Sequence, residues 1–178
     1  SYFTAAVVIL FFIGMKDDLI AMNQVKKLAG ESVAAVIIFF CTDLSFTSLH
    51  GFLGIEHISP WASFFITVFV IILIINAVNL IDGIDGLAAT VGVVTSVTFG
   101  VFFYLSGDYG YTVIAAALTG ALIAFLRFNL SKGRFKIFMG DTGSLALGGA
   151  VGGLCILLKK ELLLPILGGI FFAETLSV

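Results

Sequence analysis

The chain alternates long apolar runs with short polar interruptions. About seven apolar segments can be marked, at roughly 1–13, 32–44, 61–81, 87–106, 111–128, 143–158 and 162–178. Several approach the roughly 20 residues needed to cross a hydrocarbon core. The interruptions hold charges and turn formers: Gly83 and Gly86, then "SGDYG", then "NLSKGR". There is no internal repeat and no low-complexity linker. The pattern predicts an all-α, polytopic integral membrane protein, with residues 1–178 forming a single membrane-embedded domain. The second segment is short for a span, and "TDLSFTSLHGFLGIEHISP" after it reads as an extracytoplasmic loop or hairpin. Ser1 opens inside one apolar run and the last residues stop inside another, so the sequence reads as an internal piece of a longer membrane protein.

Composition supports this class. The chain is 60% hydrophobic and 11% charged, against roughly a quarter charged in a soluble domain. The net charge of -2 decides little; the placement of the charges decides more. If successive segments cross the membrane, Lys16, Lys26, Lys27, Arg127, Lys132, Arg134 and Lys136 share one side, and only Lys159 and Lys160 lie opposite. The excess of Lys and Arg makes the first side cytoplasmic. The same parity gathers Asp17, Asp18, Asp82, Asp85 and Asp141 there, while Asp43, Glu56, Asp108 and Glu161 are scattered singly on the other. A single acidic, cation-binding site at the cytoplasmic interface requires such segregation. Cys41 and Cys155 stand in different segments without CxxC spacing, which argues against a disulfide framework or a thiolate metal site. His50 and His57 have no companion acid and read as ordinary interfacial residues, and Trp61 and Tyr104 fit an aromatic belt.

Three stretches carry candidate chemistry. In "GMKDDLIAMNQVKKLAGE", Asp17 and Asp18 are adjacent carboxylates at a helix mouth, able to ligate Mg²⁺, hold its waters or supply a general base. Lys27 suits a phosphate; a solvated acidic loop is the plainer reading. In "NAVNLIDGIDGLA", Asn76, Asn79 and Asp82 recur every third residue and form a polar stripe on a helix that continues through Leu80. Polar groups at that depth should face a cavity. Asp85 follows between Gly83 and Gly86, either near a ligand or as a cap for the next helix. In "RFNLSKGRFKIFMGDTGSLALGG", a basic loop leads to Phe138 and then to Asp141, which is either a hard oxygen ligand for Mg²⁺ or the N-cap of a helix starting near Thr142. Together they suit a Mg²⁺–diphosphate site with an aromatic face for a base. Neither GxxxxGK[ST] nor GxGxxG occurs.

"DD" followed by Lys27, "NAVNLIDGIDGLA" and "FMGDTGSL" resemble, in order, the first three cytoplasmic motifs of the polyprenyl-phosphate N-acetylhexosamine-1-phosphate transferases, of glycosyltransferase family 4 type. The resemblance covers essentially the whole chain. It implies attack by a membrane-embedded polyprenyl (undecaprenyl) phosphate on a UDP-amino sugar, giving a lipid-linked diphosphate sugar and UMP. It implies that Asp17 and Asp18 lie beside the lipid phosphate, one as base, and that Lys27 steadies a phosphate. Asn79 and Asp141 would ligate Mg²⁺, with Mn²⁺ as the substitute ion. Phe138 would stack on uracil, with Asp85 at its edge, while Asn76, Asp82, Asn129 and Lys136 complete substrate binding. A bacterial inner membrane with a cytoplasmic active site, and a homodimer, are further implications; nucleic acid is not a partner. The family's fourth, His-containing motif does not occur in the sequence. The centre, "TSLHGFLGI" through "FNLSKGRFKIFMGD", resembles the UDP-GlcNAc-using branch, and the tail from "SLALGG" resembles the phospho-N-acetylmuramoyl-pentapeptide transferases. The first of these is the expected branch, because that part carries more of the site.

An ion-coupled transporter is the rival reading, since intramembrane carboxylates also mark ion paths. Against it, the acids cluster at one face, with Glu174 taken as the one candidate deep in a span. A purely structural subunit would need none of these groups.

Overall fold

The computed structural model describes residues 2–41 and 58–157. The proposed hairpin after the second segment, His50 and His57, the seventh apolar segment and Glu174 lie outside the described residues. Within them the regular structure is helical: α1 (Tyr2–Leu19), α2 (Gln24–Cys41), α3 (Pro60–Ile81), α4 (Leu87–Leu105), α5 (Tyr109–Asn129) and α6 (Gly140–Leu157), with a 3₁₀ turn at Gly133–Phe135. Helices α3 to α6 are each long and apolar enough to cross a membrane.

The later segments match their expected bounds closely, but the first two do not. Helix α1 runs through Asp17 and Asp18, and α2 begins at Gln24, eight residues before the apolar run at 32. Residues 14–31 are therefore mostly helix rather than loop. The reason is local: "QVKKLAGE" is rich in good helix formers, and the Asn23 side chain accepts from the Val25 amide at 2.9 Å.

Helix α6 sits at the centre. It packs against α1 and α3, while α2 flanks those two and α4 pairs with α5. Leu145, Val151 and Leu154 of α6 join apolar clusters that include Leu10, Ile71, Ile75, Val78, Phe99 and Phe103. Membrane helices gain little from excluding water, so they depend on close contact. Gly148 meets this need, because a Cβ there would lie 2.6 Å from the Ile75 Cα. Tyr104 and Trp61 are exposed at one shared end of the bundle, where an aromatic belt was expected.

Gly148→Ala should therefore force α6 off α3, at a cost of about 1–3 kcal/mol, read as a lower Tm in detergent. Gly120→Ala is the matched comparison. Its Cβ would meet nothing within 4 Å, so its Tm should hold or rise through better helix propensity.

Candidate active site

The site lies at the end of the bundle that the basic residues mark, where α1, α2, α3 and α6 converge. Gly14 makes the approach possible: a Cβ at this position would lie 2.6 Å from the Thr142 Cα. The contact carries the last turn of α1 onto the first turn of α6. The Asp18 carboxylate then accepts from the Asp141 amide (2.9 Å), the Thr142 amide (2.9 Å) and the Thr142 hydroxyl (2.5 Å). The two amides are donors that a helix start leaves without an internal partner. The cap of α6 thus comes from another helix. Asp141, expected as a possible cap, sits inside the first turn with its side chain free for other work. Gly140, at φ 64, is fixed by the same arrangement; a Cβ there would be strained and only 3.0 Å from the Asp18 oxygens.

Lys27 is the hub. Its ammonium lies 3.0 Å from Asp17 Oδ2 and 2.9 Å from Asp141 Oδ1, and the residue is only 8% exposed. Asp17 Oδ1 accepts from the Met22 amide at 2.6 Å. Asn79 donates its Nδ2 to Asp141 Oδ1 and to Ser144 Oγ, the latter at 2.7 Å. One bridge therefore ties α1, α2, α3 and α6 together through residues the sequence had singled out.

The carboxyls differ in acidity for identifiable reasons. The Met22 amide, helped by Lys27, holds Asp17 below the usual carboxylate range despite its partial burial. Burial works against the charge of Asp18, but the Thr142 hydroxyl and the Thr142 and Asp141 amides outweigh it and hold Asp18 low as well. Asp82 goes the other way. Burial pushes it up to about 6, the neighbouring Asp141, Asp18 and Asp85 charges add to the rise, and a hydrogen bond from the Gly140 backbone only partly offsets it.

Asp85 does not join this cluster. It pairs with Lys136 on the far side of the DGIDG turn and does not cap α4, whose N-cap is Gly86 without a side-chain bond. Asn129 is buried and straps two segments: it accepts from the Gly86 amide (2.5 Å) and donates to the Ile137 carbonyl (2.8 Å). A cavity of about 370 Å³ opens among Asp85, Asn129, Ser131, Lys132 and Lys136. Phe138 stands nearby, largely exposed, with the Lys136 ammonium 5.0 Å from its ring centre.

Asn76 is the stripe residue that turns away. Its Nδ2 donates to Glu31 Oε2 at 2.5 Å and to the Ile72 carbonyl at 3.0 Å. Glu31 was missed in the sequence, where Glu174 stood as the one deep carboxylate. The signal was its position four residues after Lys27, on the same face of a helix, hidden while 14–31 was read as loop.

For Mg²⁺, the donors at hand are the carboxylates of Asp141 and Asp17 and the amide oxygen of Asn79. Among the described residues no group of three His, Cys, Asp or Glu side chains is arranged to hold a metal. That set fits Mg²⁺, which commonly takes one or two carboxylates and completes its shell with phosphate and water.

Asp82 gives a pH-dependent expectation. Its folded pKa of about 6 lies above the ordinary 3.8. As pH rises between these values, the unfolded chain loses a proton that the folded protein keeps, so folding is progressively disfavoured and the penalty is complete above about 6. Asp82→Asn removes the penalty. In thermal melts without divalent cations, the variant should exceed the wild type in Tm by more at pH 7.5 than at pH 5.

The description of glycosyl transferase family 4 matches residues 1–159. Phospho-N-acetylmuramoyl-pentapeptide-transferases of Bacillus mycoides (strain KBAB4), Bacillus anthracis and Bacillus cereus (strain AH187) are each 38% identical to this chain over 179 residues. The alignments take in 93% of this chain and 54% of each relative, so the chain spans about half the length of the curated relatives it matches. With the motif residues assembled at one end of a helical membrane bundle, the match over residues 1–159 establishes that the chain belongs to glycosyl transferase family 4.

Proposed function

We propose that the protein transfers a phospho-N-acetylhexosamine from a UDP-sugar to polyprenyl (undecaprenyl) phosphate at the cytoplasmic face of a bacterial inner membrane, releasing UMP. The observation that carries this reading is the Asp17–Lys27–Asp141 bridge, held at the capped start of α6 beside a separate basic and aromatic cavity. The first half suits a metal and phosphates; the second suits a nucleoside. The family match favours group transfer over ion-coupled transport and over a purely structural subunit. The names of the relatives favour phospho-N-acetylmuramoyl-pentapeptide as the transferred group, ahead of the N-acetylglucosamine donor expected from the central motifs.

Asp141 and Asn79 would hold Mg²⁺, or Mn²⁺ in its place, through oxygen. When bound, the metal would offset charge on the diphosphate and orient it. Asp18, with three bonds accepted, positions α6 and has little capacity left as a base. Asp17 is the member of the pair that faces Lys27, and it would lie nearer the lipid phosphate. The Lys27 ammonium, beside those carboxylates, would steady a phosphate oxygen of the substrate. Lys136, Asp85 and Asn129 frame the nucleoside cavity, with Phe138 as a stacking face.

The test is UMP release by the full-length protein in detergent, with undecaprenyl phosphate, Mg²⁺ and either UDP-N-acetylmuramoyl-pentapeptide or UDP-N-acetylglucosamine. Mg²⁺-dependent release with the muramoyl donor is expected, with a loss of about 100-fold or more in Asp141→Asn. Release with the glucosamine donor alone would move the protein to the other branch, and release with neither, from folded protein, would reject the transfer reaction. Phe138→Ala should raise KM for the donor roughly 5- to 100-fold, the range of a lost base-stacking contact, with kcat little changed.

A further inference from the structure

Glu31 takes no part in the bridge, yet among the described residues it is the most deeply buried ionisable side chain, 1% exposed. Asn76 satisfies Oε2, while Oε1 has no hydrogen-bond partner among the described residues. A buried acceptor left unmatched is unfavourable, and a charged one more so. Lys27 lies one helical turn earlier on the same face of α2. Beside both opens a cavity of about 220 Å³, whose remaining walls are Gln24, Val25, Leu28 and Asn76.

We propose that Glu31 is a positioning residue for the metal-dependent site, giving the Lys27 ammonium a second seat when a divalent cation occupies the Asp17–Asp141 side. The inference rests on the reading of Asp141 and Asn79 as metal-holding residues. Asp141 Oδ1 lies 2.9 Å from the ammonium, so a dication bound to that carboxylate would sit close to a second positive charge, and the repulsion between them in a partly buried site disfavours the ammonium where it stands. The flexible four-carbon stem of lysine lets the ammonium leave without moving the backbone. The adjacent cavity, which Glu31 helps to line, gives it room, and Glu31 Oε1 is a buried acceptor that lacks a partner among the described residues. In the first seat Lys27 holds the acidic cluster together without metal. In the second, with a cation bound and no substrate phosphate present, it pairs with Glu31 and leaves the carboxylate oxygens to the cation.

The test reads metal binding without substrates. Free Mn²⁺ is titrated by electron paramagnetic resonance against the full-length protein in detergent. Lys27→Met should bind Mn²⁺ about tenfold more tightly, having no ammonium to displace. Glu31→Gln keeps the shape and can still accept from Asn76; it should weaken Mn²⁺ binding about tenfold in the wild-type background. The same substitution should leave affinity unchanged in the Lys27→Met background, because Glu31 acts only through Lys27. An equal effect of Glu31→Gln in both backgrounds would show a simple field effect and overturn the proposal, as would no effect in either. If circular dichroism shows Lys27→Met misfolded, Lys27→Gln replaces it with the same expected coupling. Absence of Mn²⁺ binding to the wild type would overturn the metal reading and this inference with it, whereas binding without coupling would overturn the role of Glu31 alone.

Discussion

The cap that Asp18 places on α6 is the contact on which the rest of the site depends. Helix starts expose amide donors, and at a membrane interface water satisfies them only in part. Here a carboxylate from α1 takes two of those amides and the Thr142 hydroxyl. It reaches them because Gly14 lets the α1 backbone lie against the first turn of α6, and because Gly140 leaves room for the carboxylate. Once the two helices are joined in this way, Asp17 and Asp141 are brought within reach of one ammonium. The acidic pair read as equivalent in the sequence thereby divides, with Asp18 supporting the fold and Asp17 facing the site.

Charge balance explains the arrangement around that ammonium. Asp17, Asp18, Asp82 and Asp141 lie close enough to influence one another, and Lys27 is the cation placed among them. Hydrogen-bond donors keep Asp17 and Asp18 ionised, while burial and like charge raise Asp82. A cluster so weakly neutralised attracts further positive charge. The DGIDG turn separates this acidic half from the basic one, with Asp82 on one side and Asp85, drawn to Lys136, on the other. The proposed diphosphate-bearing nucleotide would use both environments at adjoining positions.

Much of this was legible in the chain itself. Apolar run lengths and the segregation of charge determined a polytopic helical bundle and put the five aspartates at one face, because crossing a hydrocarbon core leaves few alternatives to helix and burying charge there is costly. The three-residue recurrence of Asn76, Asn79 and Asp82 determined a polar stripe, since helical periodicity is local. What the sequence by itself left open were the partners across helices: that Asp18 rather than Asp141 caps α6, that Asn76 departs from the stripe to meet Glu31, that Asp85 pairs with Lys136, and that Lys27 spans Asp17 and Asp141. These were decided by the tertiary structure alone. They depend on which faces of separate helices meet, and that is set by close backbone approach at Gly14 and Gly148 together with the packing of α6 between its neighbours, distances that no local pattern of residues encodes.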